Sequence, residues 1–124
     1  MTARWLVDGM NVVGSRPDGW WRDRPGAMRD LARRLEQLAA DTGDQVTVVF
    51  DGQPFEVDAG NVRVIFASRR GPNAADDDIA RLVADDADPC SLKVVTSDSD
   101  LSRRVAERGA EVVPAGGFRR RLPD

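Results

Sequence analysis

Histidine is absent from this chain of 124 residues, and cysteine and lysine occur once each, at Cys90 and Lys93. Without histidine there can be no His-based catalytic triad, and a lone cysteine rules out both an internal disulfide and almost every zinc site. Because Lys93 follows Leu92 inside an apolar run, the Gly-Lys-Ser/Thr ending of a phosphate-binding loop is missing too. Any chemistry must therefore use carboxylates, hydroxyls, arginines or a bound hard metal ion.

Long hydrophobic runs are also missing. The opening residues contain no apolar run of about seven residues, as a signal peptide needs, and no stretch approaches the roughly 18 apolar residues of a membrane span. We therefore expect a cytoplasmic protein without membrane attachment. One hydrophobic core is normal at this length, so we expect a single domain over residues 1–118 and a solvated basic tail over residues 119–124.

The net charge is only −3, although the chain holds 17 arginines. The arginines gather in segments 16–24, 69–70 and 119–121, whereas many aspartates gather elsewhere. An acidic centre surrounded by arginines suits a metal ion held in the middle and a polyanion held at the rim. Each cluster taken alone is equally well explained by the charged surface of any soluble protein.

Apolar runs bounded by turn residues predict three buried strands, at residues 5–7, 46–50 and 92–95. Weaker strand patterns lie at residues 61–67 and 111–114. Apolar residues spaced by threes and fours predict helices over about 25–42, 75–87 and 100–108. Alternating strands and helices joined by right-handed crossovers imply a parallel sheet within an α/β fold.

Six aspartates directly follow the predicted strands or open the predicted helices: Asp8, Asp51, Asp76, Asp77, Asp98 and Asp100. Ligand sites of parallel sheets lie beyond the carboxyl ends of the strands, so these side chains should share one crevice. Singly, each is equally well read as a turn or a helix cap. Together they would repel, by around 3 kcal/mol for two carboxylates about 5 Å apart at an effective dielectric near 20. A divalent cation would relieve that repulsion, and oxygen-only ligands favour Mg²⁺ or Mn²⁺.

Four segments resemble, in order, the YacP-like branch of the NYN domain within the PIN-like nuclease group. They are Asp8-Gly9-Met10-Asn11, Val49-Phe50-Asp51-Gly52, Ala75-Asp76-Asp77-Asp78-Ile79-Ala80 and Thr96-Ser97-Asp98-Ser99-Asp100-Leu101. The resemblance implies a three-layer α/β/α sandwich with a central, mostly parallel sheet, and an Mg²⁺- or Mn²⁺-dependent site that cuts RNA. Ala74 stands where related flap nucleases usually have a glutamate, which leaves a single-metal site open.

Carried over by position, the resemblance gives each acidic residue a role. All six aspartates become metal ligands, and four of them become catalytic residues: Asp8, Asp77, Asp98 and Asp100. Asp78 is the expected bystander, because it points elsewhere on its helix. Asn11 matches the polar partner of the first aspartate.

Residues near the predicted site suggest how RNA is held. Two tryptophans stand among arginines in segment 16–24, a combination that stacks bases and holds phosphates, and we expect one tryptophan to be buried and the other available. The predicted RNA contacts are Asn11, Arg16, Trp20, Arg22, Arg69, Arg70 and Ser97. No sequence-reading module is present, so we expect recognition of the phosphate backbone.

The sequence is therefore interpreted as a metal-dependent ribonuclease, specifically an endonuclease, with RNA as its partner. A non-catalytic RNA-binding module of the same fold is the alternative. A phosphotransferase with an aspartyl nucleophile is disfavoured, because Met10 stands where the haloacid-dehalogenase pattern has its second aspartate. The sequence leaves open whether the protein forms a homodimer.

Overall fold

The structure is a computed structural model that describes residues 2–69, 71 and 73–123. Its strands are β1 (Arg4–Asp8), β2 (Gln45–Phe50), β3 (Arg63–Phe66), β4 (Leu92–Val95) and β5 (Glu111–Val113). They form one sheet in the order β3-β2-β1-β4-β5, and every pairing is parallel. The three strands predicted as buried and the two weaker ones are all present, and the parallel sheet is confirmed.

Helices cover both faces of the sheet. They are α1 (Gly9–Val13), α2 (Arg24–Thr42), α3 (Ala74–Asp85), α4 (Ser99–Ala106) and α5 (Ala115–Arg121). One core cluster joins α1, α2 and α5 to the face that carries Val7 and Phe50, and the other joins α3 and α4 to the face that carries Leu6 and Val49. This is the expected three-layer α/β/α sandwich. Within the described residues, no helix combines the length and apolar character needed to cross a bilayer.

The longest helix, α2, begins and ends as its sequence predicts. The Asp23 carboxylate accepts a hydrogen bond from the backbone N–H of Gly26 at 3.1 Å, and Pro25 occupies the first turn, where its missing N–H does no harm. Gly43 ends the helix at a φ of 75°, a left-handed conformation that glycine adopts without strain. The apolar stripe, represented by Leu31 and Leu35, is fully buried against the sheet.

Strand alternation decides on which face the acidic side chains lie. Val7, Phe50 and Val95 pack against the layer that contains α1, α2 and α5. Successive side chains of a strand point to opposite faces, so the residues that follow these three turn toward α3 and α4. Those residues are Asp8, Asp51 and Thr96. The carboxyl edge of the sheet therefore directs its polar groups to the side where α3 begins.

The carboxyl-terminal segment differs from the tail we expected over residues 119–124. Residues 115–121 form α5, in which Phe118 is buried and lies against Trp5 with 5.1 Å between ring centroids. Leu122 is buried as well, and the half-buried Arg119 pairs with Asp18 at 3.5 Å. The run of arginines suggested a solvated tail, so the sequence did not predict this helix. The apolar residues on either side of the run hold the segment against the core.

Candidate active site

Asp8, the last residue of β1, is the most deeply placed carboxylate of the site, with only 4 % of its surface exposed. The Thr96 hydroxyl donates a hydrogen bond to its Oδ2 at 2.9 Å, and the backbone N–H of Asn11 also donates to the carboxylate. Burial raises the pKa of Asp8 from 3.8 to about 7, and the nearby Asp76 and Asp51 carboxylates add to the increase. The two hydrogen bonds oppose the increase but do not cancel it.

Thr96 fixes the orientation of the Asp8 carboxylate. Its Oγ1 accepts a hydrogen bond from the backbone N–H of Asp98 at 3.1 Å and donates its own proton to Asp8. Thr96 is buried, at 1 % exposure, so both bonds are shielded from water. The two strand ends that carry Asp8 and Asp98 are therefore held together by one hydroxyl.

A second tie joins the same strand ends through Asn11 and Ser97. The backbone N–H of Ser97 donates to Asn11 Oδ1 at 2.7 Å, and the backbone N–H of Ala115 donates to Ser97 Oγ at 2.9 Å. We predicted Asn11 and Ser97 as RNA contacts, and these bonds show that both side chains brace the edge of the sheet. The Ser97 hydroxyl and the Asn11 amide keep their own protons available for a substrate.

Asp76, in the first turn of α3, shares its electrostatic surroundings with the strand-end carboxylates. Burial raises the pKa of Asp76, and the neighbouring Asp98 and Asp51 carboxylates raise it further. Arg104 acts in the opposite direction. The Asp51 and Asp98 carboxylates thus interact electrostatically with Asp76, and the Asp51 and Asp76 carboxylates interact in the same way with Asp8. We call these four residues, Asp8, Asp51, Asp76 and Asp98, the carboxylate centre.

Two members of the carboxylate centre also cap helices. Asp51 Oδ1 accepts a hydrogen bond from the backbone N–H of Ala75 at 3.0 Å, at the start of α3. Asp98 Oδ1 accepts one from the backbone N–H of Leu101 at 2.8 Å, at the start of α4. Each uses one oxygen as a cap and keeps the other available, so the cap and metal-ligand interpretations of these residues are compatible.

Asp77 and Asp100 differ from the carboxylate centre in being paired with arginines, although the Asp77 carboxylate also raises the pKa of its neighbour Asp76. Asp77 binds Arg69 and, at 3.0 Å, Arg104, and the hydrogen bonds from these two arginines lower the pKa of Asp77. Asp100 is exposed and pairs with Arg103 at 2.7 Å. We call these two aspartates and their three arginines the arginine-paired rim.

Asp78 is a buried structural residue. At 7 % exposure it accepts hydrogen bonds from the Ser68 backbone N–H at 2.6 Å and from the Ser68 hydroxyl at 2.8 Å. These bonds anchor the chain after β3 to α3. Its position away from the centre agrees with our expectation of a bystander.

The donor set of the carboxylate centre suits a hard divalent cation, since every available ligand is an oxygen. Within residues 2–69, 71 and 73–123, however, no three acidic side chains stand close enough to coordinate one ion directly. An ion that keeps several of its waters, as Mg²⁺ does, needs only one or two carboxylates. The residues present fit a partly hydrated ion.

The tryptophan segment reaches the same edge of the sheet from the other face. Arg24 Nη2 donates to the backbone carbonyl oxygen of Asp51 at 3.2 Å. Trp20 is half-buried against the core, whereas Trp21 is 57 % exposed, so one tryptophan packs on the core and the other is available. The available residue is Trp21 and not the predicted Trp20, and nothing in the sequence distinguishes these adjacent residues.

The remaining predicted RNA contacts are arginines. Arg16 and Arg22 are exposed, Arg69 belongs to the arginine-paired rim, and Arg70 lies outside the described residues. Sequence reasoning missed Arg104, which links the rim to Asp76. The available signal was its place on α4 between the inward-facing residues Leu101 and Val105.

The fold and site together define a class: a parallel α/β domain with an acidic centre beyond the carboxyl ends of its central strands. The family model of the YacP-like NYN domain matches residues 5–124, and the chain belongs to this family. Its fold is therefore a nuclease-family fold.

Solved structures agree with this assignment. The chain is 26% identical to Rae1 (YacP) from Bacillus subtilis, with a TM-score of 0.77 over 97% of this chain and 72% of that one. A mutant of the same protein gives 27% identity and a TM-score of 0.75 over 92% of this chain and 70% of that one. No curated protein matches the chain. The similarity to Rae1 covers nearly all of this chain.

Proposed function

We propose that this domain is an Mg²⁺- or Mn²⁺-dependent ribonuclease that hydrolyses phosphodiester bonds within RNA chains. The observation that carries the proposal is the state of Asp8, a buried carboxylate with a pKa raised to about 7 beside other carboxylates. Among the described residues, no arginine or lysine forms an ion pair with any member of the carboxylate centre. An external cation is the group that would relieve this repulsion. Membership in a nuclease-type family supports the proposal.

The carboxylate centre would hold the ion. When bound, the ion would make a water more acidic for attack on the phosphorus and stabilise charge on the leaving oxygen. The chain itself supplies the orientation: Thr96 holds one oxygen of Asp8, and backbone N–H groups hold one oxygen each of Asp51 and Asp98. Asp76 accepts no hydrogen bond from a described residue, which leaves its carboxylate free to adjust to an ion and its waters.

The test compares Asp98→Asn with Asp100→Asn. Asparagine caps helices as well as aspartate does, so the first change removes one charge from the centre and keeps the bond to Leu101. Metal ligands of this kind are expected to matter by about a hundredfold or more in cleavage rate. Asp98→Asn should lose that activity with its circular dichroism unchanged, whereas Asp100→Asn should stay within a few-fold of the original protein. Normal cleavage by Asp98→Asn would refute the proposal, and a matching loss in Asp100→Asn would return that residue to the site.

The position of the cut can be tested with circular RNA. A circle has no end, so an endonuclease linearises it and an exonuclease leaves it intact. We expect linear products when Mn²⁺ is present and none when a chelator replaces it. Cleavage of linear RNA alone would correct the proposal to an exonuclease.

A non-catalytic RNA-binding domain is the second candidate, because no three described carboxylates coordinate an ion as they stand. The two candidates differ in their response to Mn²⁺. A nuclease should melt at a higher temperature with Mn²⁺ and give anomalous scattering between Asp8, Asp76 and Asp98 in a soaked crystal. A binding module should show neither effect.

A further inference from the structure

Trp21 is the one large apolar side chain that is exposed among the described residues, at 57 %. Trp20, its neighbour in the chain, already packs against the core beside α2. Within the described part of the chain, the one ring contact of Trp21 is edge-on, at 84° to Trp20 with 6.1 Å between centroids. Packing of the fold therefore leaves a face of the Trp21 indole uncovered.

The segment that carries Trp21 is ordered by its own backbone. Residues 20–22 form a 3-10 turn, in which the N–H of Arg22 donates to the Gly19 carbonyl at 2.9 Å and that of Asp23 donates to the Trp20 carbonyl at 3.2 Å. Gly19 has a φ of 79°, which permits the sharp entry into this turn. Trp21 is thus presented on a fixed support, and little conformational freedom would be lost on binding.

The position of the segment relates Trp21 to the carboxylate centre. Arg24, which follows Trp21 by three residues, bonds to the Asp51 carbonyl at 3.2 Å. The Cα atoms of Trp21 and Arg24 are at most about 11 Å apart, the span of three extended residues. Trp21 therefore lies along the same edge of the sheet, on the side opposite α3 and α4.

Charged residues flank this indole along the chain. The two aspartates of the segment are occupied, Asp18 by Arg119 at 3.5 Å and Asp23 by the Gly26 N–H at 3.1 Å. The guanidinium groups of Arg16 and Arg22 form no ion pair or hydrogen bond with a described residue, and both residues are exposed. An uncovered aromatic face with unpaired arginines one and five residues away along the chain is complementary to one ligand chemistry, a flat base carried on a phosphate chain. A base inside a duplex is covered on both faces, so only an unpaired base can stack on a side chain in this way.

We infer that Trp21 is a stacking subsite for an unpaired RNA base, with the phosphates on either side held by Arg16 and Arg22. The inference rests on the proposed function, because it takes RNA as the ligand. It adds a specificity to that function: RNA that is single-stranded next to the cut binds better than RNA that is paired there.

The experiment measures RNA binding by fluorescence anisotropy in a chelator, so that cleavage plays no part. Trp21→Leu keeps an apolar side chain without an aromatic face, and Trp21→Phe keeps a smaller aromatic face. Stacking of one base on an aromatic side chain predicts about tenfold weaker binding of a single-stranded oligonucleotide by Trp21→Leu. Trp21→Phe should recover most of the affinity, and a duplex of equal length should bind all three proteins alike.

The inference is overturned if Trp21→Leu binds single-stranded RNA as tightly as the original protein, or if it loses duplex binding to the same extent. It is also overturned if Phe and Leu behave alike. The unaltered protein gives an independent measurement, in which single-stranded RNA should quench tryptophan fluorescence and duplex RNA should not. A protein that passes these tests but never cleaves RNA would refute the proposed nuclease activity and leave the stacking subsite standing.

Discussion

The carboxylate centre and the arginine-paired rim both contain aspartates, but only in the rim are their charges balanced by arginines. In the rim, Asp77 and Asp100 each accept hydrogen bonds from arginine. In the centre, burial and neighbouring carboxylates raise the pKa of Asp8 and Asp76, and none of the four aspartates forms an ion pair with a described residue. Arginine is plentiful in this chain, so the lack of an ion pair between the centre and the described residues is a property of the site rather than of the composition.

Asp76 and Asp77 show the contrast at adjacent positions of one helix. Burial and carboxylate neighbours raise the pKa of Asp76, whereas Arg104 and Arg69 lower the pKa of Asp77. One residue along a helix is a rotation of about 100°, which is enough to turn one side chain to the sheet edge and the next to the arginines. The aspartates of the rim are paired with arginines of the same chain, whereas those of the centre form no ion pair with a described residue.

The largest expected effect separates these two neighbours. Asp76→Asn should lower the rate of RNA cleavage at saturating substrate by about a hundredfold, because it removes a carboxylate that the ion needs. Asp77→Asn should leave that rate within about tenfold and chiefly raise KM, because it releases two arginines that are held in place for the substrate. Steady-state kinetics on both variants provide the measurement. Equal losses of kcat would erase the distinction between centre and rim, and a larger loss in Asp77→Asn would restore the role that the sequence alone predicted for it.

The next effect concerns stability and pH in a chelator. The pKa of Asp8 is about 7 in the folded protein and close to 3.8 when unfolded, so the folded state binds more protons between these values. Stability should therefore fall as pH rises through this window, by about 2–4 kcal/mol in total, and should not fall further on this account above pH 7. Asp8→Asn removes the titration. Urea unfolding should show the variant to be more stable than the original protein at pH 8, with the difference vanishing near pH 4.

Adding Mn²⁺ supplies the control for that measurement. The ion should stabilise the original protein at pH 8 and do so much less at pH 5, where Asp8 is protonated and a proton must leave before the ion binds. Asp8→Asn should gain little at either pH. A variant that Mn²⁺ stabilises as strongly as the original protein would remove Asp8 from the ligand set.

Much of this arrangement could be predicted from the sequence because strand ends are marked clearly. Asp8 and Asp51 each follow an apolar run and precede glycine, and the topology of parallel sheets brings such ends together. Both the positions of the strand ends and their meeting at one edge of the sheet can be inferred without knowledge of side-chain contacts. The alternation of strands and helices predicted the parallel sheet, whereas the two helix layers followed from the family resemblance and the strand order was not predicted.

The parts that could not be predicted depend on tertiary contacts. Residues 115–121 include two glycines and would form a poor helix alone, and only the packing of Phe118 against Trp5 reveals α5. The choice between Asp76 and Asp77 depends on an arginine 27 positions away along the chain from Asp77. A single sequence contains no local pattern that reports such a contact.

The smallest expected effect tests the one residue that connects the two regions. Arg104 bonds to Asp77 and also lowers the pKa of Asp76, so its charge reaches the centre without an ion pair there. Arg104→Gln should raise the pKa of Asp76, and the acidic limb of the pH–rate profile should move to higher pH with a loss of only a few-fold at its optimum. Arg104→Lys keeps the charge and should leave the profile near its original position while weakening the contact with Asp77. An unchanged profile in Arg104→Gln would mean that the rim and the centre act independently. A shift in both variants would mean that the geometry of the Arg104 guanidinium, rather than its charge, determines the pKa of Asp76.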